Sequence, residues 1–190
     1  MAGTGVTAGR QISSHRSGRS SGPACTPPNE AGSRLAGPPH PVEHTVMAIT
    51  RHATAHWEGD LKTGQGTLET PQSGLLAGTR YGFNTRFGTE KGTNPEELIA
   101  AAHAGCFTMA LSAKLTEAGH PPEALDTTAK VELSMEGGPT ISAIHLATRA
   151  KVPGLDAAKF RAIADDAKQN CPVSKALSAV PIELEAELVG

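Results

Sequence analysis

The stretch from Asn94 to Gly119 constrains the fold of this chain more than any other segment. It opens on Asn94-Pro95-Glu96-Glu97, where Asn94 can cap a helix and Pro95 can take the first turn without needing an N–H. Glu97 stands where a capping box wants an acid. From Leu98 to Leu111 only His103 and Thr108 interrupt apolar residues, and Gly119 supplies a stop after Ala118. A helix that is apolar on every side is a central helix, buried all round. A single domain of this length has little with which to wrap it, and the easiest remedy is a homodimer in which a second copy supplies the other wall.

The flanking sequence reads as short strands. Residues 48–57, 66–70 and 81–87 alternate in hydropathy between Gly-bearing turns, which predicts an antiparallel meander. Residues 125–135 place Leu125, Ala129, Val131, Leu133 and Met135 in one strand phase, and Gly137-Gly138 offers a hairpin turn to a second strand through Ile144 and Leu146. A helix is expected over residues 156–170 with Asp156 as its cap, interrupted at Cys171-Pro172 before a short helical turn at residues 175–177. Ile182, Leu184, Ala186 and Leu188 then alternate with Glu183, Glu185 and Glu187 in a last strand. The order strands, helix, strands, helix, strand is α+β rather than doubly wound.

Composition bounds the rest. Residues 1–46 are rich in Gly, Ser, Pro, Thr and Arg and contain no Phe, Trp or Tyr, so they cannot bury enough apolar surface to offset their conformational entropy. They are expected to form a disordered N-terminal extension, with residues 47–190 as the one folded domain and Cys25 an incidental thiol in the tail. The Gly and Pro content argues against the amphipathic helix of a transit peptide. A formal net charge of −2, from 17 basic and 19 acidic residues spread along the chain, leaves no basic stripe for a nucleic acid. Three widely spaced cysteines do not make a secreted disulfide framework, which points to a reducing, cytoplasmic setting. No run approaches the ~18 apolar residues of a membrane span, so no membrane association is expected.

Cys106 lies in the middle of the apolar helix, where a thiol alone reads as a small inert hydrophobe. Three features argue for chemistry. Ala102, Ala104, Gly105 and Ala110 leave room beside it, and Gly105 costs about 1 kcal/mol relative to alanine in a helix interior, which a close approach by another segment or a substrate would justify. Cys171 sits at a helix break, where free N–H groups favour a thiolate. Arg80 and Arg86 stand just upstream as candidate cations. His103 shares a helical face with Cys106, which permits a Cys–His pair. Zinc needs further ligands that the neighbouring sequence does not offer, so no metal and no cofactor is expected. From the residues alone a Cys106–His103 hydrolase and a non-catalytic dimer binding a hydrophobic ligand both stay open beside a thiol redox enzyme. His52, His56, His120 and His145 look scattered.

GTNPEELIAAAHAGCFTMALS (92–112) with NCPVSKAL (170–177) resembles the OsmC/Ohr peroxidases, and the resemblance continues through HWEGDLKTGQGTLET (56–70) and YGFNTRF (81–87). The absence of arginine from HWEGDLKTGQG places it with the OsmC branch. The resemblance implies a thiol peroxidase for organic hydroperoxides, built as an intertwined homodimer with two sites at the interface. It implies Cys106 as the peroxidatic cysteine and Cys171 as the resolving one, joined in a disulfide during turnover. It implies Arg86 as the catalytic arginine and Glu96 as the acid that orients it. The reductant it implies is a dithiol, a lipoylated protein more often than thioredoxin. Ten helical residues separate Glu96 from Cys106 by about 15 Å along the axis. They cannot touch within one helix, so either Arg86 spans the gap or the partner subunit supplies part of the site.

Overall fold

The computed structural model describes residues 48–189. The expected disorder of residues 1–46 and the thiol of Cys25 lie outside them. Three strands come first, β1 (Thr54–Glu58), β2 (Gln65–Glu69) and β3 (Ala77–Tyr81), paired in that order as an antiparallel meander. The meander is the expected one, although β1 is shorter than residues 48–57 and β3 begins earlier than Tyr81. Where a strand was expected over residues 81–87, the chain instead turns at Gly82 into α1 (Phe83–Phe87). Thr85 makes that turn, its Oγ1 accepting from the Gly82 N–H at 2.8 Å and lying 2.9 Å from the Thr93 carbonyl. The period-two pattern misled because Phe83 and Phe87 also stand one helical turn apart, and their rings meet at 4.9 Å.

The long helix α2 (Pro95–Glu117) forms as its sequence dictates, with the Asn94 side chain accepting from the Glu97 N–H at 2.8 Å and Gly119 beyond its end at φ 81°. β4 (Ala124–Ser134) and β5 (Thr140–Lys151) pair antiparallel across the Gly137-Gly138 turn. Met135 falls outside the strand phase expected for it and is exposed. α3 (Ala157–Asn170) is capped by Asp156, which accepts from the Lys159 N–H at 2.9 Å. α4 (Pro172–Ala176) follows at once, earlier than the expected turn, because Cys171 is extended and Pro172 opens a new helix. β6 (Ile182–Leu188) closes the second sheet in parallel with β5 and alternates half-buried apolar residues with exposed glutamates.

α2 packs on the second sheet through β4, and α3 and α4 pack beside it. Phe107, Leu111 and Leu115 meet Leu146, Phe160, Ala164 and Ala167 in one fully buried core. The helix is not buried all round within its own chain. His103, Phe107, Leu111 and Leu115 face inward, whereas Ala102, Gly105, Met109 and Ala113 form an exposed stripe on the opposite side, Met109 at 76% exposure. By length and composition α2 could cross a membrane, with a mean hydropathy of 1.4 over its most apolar stretch. The core helix of a folded domain passes the same test, and α2 buries His103, Phe107, Leu111 and Leu115 in this one.

Candidate active site

Cys106 sits where the inward and outward faces of α2 meet, so it is only partly buried, and its helix hands it toward the start of α4. Cys171 is carried into the core between α3 and α4, with no exposed surface. It stands at the helix break expected at Cys171-Pro172, with extended backbone between the two helices. The two sulfurs, 65 residues apart in sequence, lie 3.2 Å from one another, within reach of a thiol hydrogen bond. Both are free thiols. A disulfide requires sulfurs about 2.05 Å apart, so a short approach joins them.

The surroundings treat the two thiols differently. Burial pushes the Cys106 thiol up, opposed by the Val173 N–H and reinforced by the neighbouring Cys171. Burial also acts upward on Cys171, but the Ser174 N–H, the Cys106 thiol, the Ser174 hydroxyl and the Val173 N–H together outweigh it and hold Cys171 below the ordinary thiol range. These donors surround the N-cap position of α4 without any one of them closing a full side-chain cap bond to it. Within one chain the surroundings thus move the two thiols in opposite directions, Cys106 up and Cys171 down.

Arg86 and Glu96 form a second cluster. Arg86 donates from Nε to both carboxylate oxygens at 3.2 Å and from Nη2 to Oε1 at 2.6 Å, a forked arrangement with side chains 32% and 13% exposed. The Arg86 hydrogen bonds, opposed by burial, hold the Glu96 carboxyl below its usual range. The guanidinium lies over the Phe87 ring at 5.2 Å. Beside it a cleft of about 100 Å³ is lined by Trp57, Leu61, Tyr81, Phe83, Phe87 and Pro95. Four expected site residues are thus gathered two by two, Cys106 with Cys171 and Arg86 with Glu96. The chain does not bring the pairs together, because Glu96 lies at the start of α2 and Cys106 about 15 Å further along its axis.

His103 does not engage Cys106. Its Nε2 lies 2.8 Å from Ser174 Oγ, and its Nδ1 is buried with no partner. Burial lowers its pKa, so the ring is neutral. Ser174 escaped the sequence reading, although it stands one turn after Cys171 as His103 stands one turn before Cys106. Arg80 pairs instead with exposed Glu90 at 3.2 Å.

Two free thiols in contact, one partly exposed and one buried, where two helices meet in an α+β domain, are the arrangement of a thiol redox protein. The model of the family described as OsmC-like protein matches residues 88–185. Peroxiredoxin OsmC of Escherichia coli is 54% identical over 134 residues, covering 70% of this chain and 93% of that protein. The organic hydroperoxide resistance protein of Xanthomonas axonopodis pv. citri is 35% identical over 89 residues, 45% of this chain and 59% of the relative. Among solved structures, the OsmC-like protein of Mycoplasma pneumoniae superposes with a TM-score of 0.59 at 17% identity, covering 76% of this chain and all of its own, a likeness of fold alone. The organic hydroperoxide resistance protein OhrB of Bacillus subtilis gives 0.52 at 25% identity, covering 73% and 98% of the two chains. The chain belongs to the OsmC family, in the OsmC branch.

Proposed function

We propose that this protein reduces organic hydroperoxides to alcohols through a sulfenic acid on Cys106 and a Cys106–Cys171 disulfide, in a homodimer that completes each site. That it is a cysteine-based peroxidase follows from its family. The observation that carries the cycle is the pair of free thiols at 3.2 Å, one partly exposed and one fully buried. Only the partly exposed Cys106 can meet a peroxide. Its thiolate attacks the terminal oxygen, the O–O bond breaks, and the departing alkoxide takes a proton to become the alcohol. The Cys171 thiolate then attacks the Cys106 sulfur, the S–O bond breaks, and hydroxide leaves as water on protonation. A dithiol reductant, of the kind a lipoylated protein carries, exchanges its own two thiols for the disulfide and restores both cysteines.

Arg86 favours the Cys106 thiolate and donates to the peroxide oxygens as charge develops on the alkoxide. Glu96 holds Nε and Nη2, which leaves Nη1 for the substrate. Because the two pairs stand apart in one chain, Arg86 and Glu96 of each subunit serve the thiols of the other. The exposed stripe of α2 and the largely exposed first sheet, with Leu61 and Leu75 at its turns, supply the apolar surface for that exchange. The aromatic cleft beside Arg86 accepts the organic group of the hydroperoxide. The Cys–His hydrolase reading loses its base, since His103 is turned to Ser174. The domain works in the reducing cytoplasm, where a dithiol donor is at hand.

The test is consumption of cumene hydroperoxide by the prereduced protein, followed by intact mass. The parent protein should lose two hydrogens, Cys106→Ser should not react, and Cys171→Ser should retain a sulfenic or over-oxidised adduct. A parent protein that leaves the peroxide untouched removes this reading.

A further inference from the structure

His103 is fully buried on the inward face of α2, in a chain whose proposed cycle gives it no task. A neutral imidazole carries one proton, and its placement matters here. If Nδ1 held it, a buried N–H would be left without an acceptor and the Ser174 hydroxyl would have to give its hydrogen to Nε2. With the proton on Nε2, His103 donates to Ser174 Oγ, and the serine hydrogen is free to turn to another acceptor. The acceptor at hand is Cys171, three residues back at the N-cap of α4, the same turn of helix that carries Ser174. Cys171 in turn reaches Cys106. The titratable groups along this line are His103 and Cys106 from α2 and Cys171 from the start of α4.

We propose that His103 and Ser174 are positioning residues for disulfide closure, forming a donor chain from His103 Nε2–H through the Ser174 hydroxyl to Cys171 that holds Cys171 as the attacking thiolate. The inference rests on the two-thiol cycle proposed above and adds a step-specific role to it. In closure the thiolate of Cys171 bonds to the Cys106 sulfur, the S–O bond breaks, and the hydroxide takes a proton from solvent and leaves as water. In reduction the incoming thiolate of the dithiol attacks the disulfide at Cys106, and Cys171 leaves as a thiolate that the Ser174 hydroxyl again receives. The chain acts on Cys171 in both directions without touching the peroxide.

Rapid mixing of the prereduced full chain with cumene hydroperoxide separates the two steps, with sulfenic acid read by dimedone trapping and disulfide by mass after acid quench. Ser174→Ala and His103→Leu should slow closure about tenfold more than they slow sulfenic acid formation, since a hydrogen bond to a charged group is worth about one pKa unit or more. His103→Gln, whose amide can still donate to Ser174, should recover most of the closure rate. Equal slowing of both steps, unchanged closure in Ser174→Ala, or no recovery in His103→Gln would each overturn the role. A second measurement needs neither peroxide nor the cycle. In a Cys25→Ser/Cys106→Ser background the ultraviolet absorbance of the Cys171 thiolate is titrated with and without Ser174→Ala. The midpoint should move up when the serine is removed, and an unmoved midpoint would overturn the donor chain even if the peroxidase cycle stands. A moved midpoint in a protein that consumes no peroxide would keep the chain and reject the cycle.

Discussion

Replacing Met109 with glutamate separates a lone chain from an assembled one. Met109 is 76% exposed, and its neighbours one turn away on the same stripe, Gly105 and Ala113, are small, exposed and uncharged. Within a single chain the substitution should change stability by no more than about 0.5 kcal/mol, because glutamate and methionine have nearly equal helix propensity and the carboxylate stays in water. In the proposed homodimer the same position is covered. Losing the burial of one Met side chain then costs about 1.5 to 3 kcal/mol, and two-fold symmetry repeats the loss, giving about 3 to 6 kcal/mol before any carboxylate is desolvated. At 1.4 kcal/mol per decade, the dimer dissociation constant should rise about a hundredfold to ten-thousandfold. Sedimentation equilibrium over a range of concentrations measures that constant, and circular dichroism checks that the chain is still folded. Peroxide consumption should fall in step with the dimer fraction, since Arg86 of one subunit then no longer reaches the thiols of the other. A Met109→Glu protein with the parent's assembly state and the parent's activity would refute the argument that this stripe is an interface.

Two further substitutions examine the Arg86–Glu96 pair. Glu96 has a folded pKa held down by Arg86, so its contribution is full above the unfolded value of about 4.3 and is lost as pH falls through the lower folded value. Glu96→Gln should therefore lower the unfolding free energy by about 1 to 2 kcal/mol at neutral pH, the difference shrinking toward zero in acid, as denaturant titrations at several pH values would show; a difference independent of pH would contradict the ion pair. Arg86→Lys keeps a charge but not the fork, and should reduce the rate of sulfenic acid formation about a hundredfold while Cys106 and Cys171 still close to a disulfide under a chemical oxidant.

What the sequence disclosed followed from local rules, and what it hid depended on partners distant in the chain. Asn94, Pro95 and Gly119 bound α2 because capping is settled within a few residues, and the Glu alternation of β6 fixes its two faces. YGFNTRF was misread because its aromatic residues satisfy a strand period and a single helical turn equally, and the tie is broken by Thr85 bonding back to Gly82 and across to Thr93. The apolarity of α2 was read as burial on every side, yet composition does not say what covers each face, and one chain covers one face only. Spacing alone could not join Cys106 to Cys171; the family resemblance paired them, and the geometry places them in contact. The His103–Ser174 bond spans 71 residues and was legible only as two i,i+3 echoes, His103 with Cys106 and Ser174 with Cys171.

The order in which the thiols react also turns on what a single chain lacks. Burial raises Cys106 and donors lower Cys171, so within one chain the surroundings disfavour the thiolate on the one cysteine of the pair that a peroxide can reach. The chain's own Arg86 does not reverse this. Seen from Cys106 it is one half of a neutral pair about 15 Å along the helix axis, and the Glu96 charge cancels most of its field at that range. In contact with the sulfur, a guanidinium at about 4 Å contributes about 4 kcal/mol at an effective dielectric near 20, well above the 1.36 kcal/mol of one pKa unit. In the proposed homodimer, a guanidinium brought to Cys106 by the second subunit would oppose the upward push of burial on that thiol. On that proposal assembly does more than cover an apolar helix, because it would favour the thiolate on the sulfur that meets the peroxide and leave Cys171, beside Ser174, to act second.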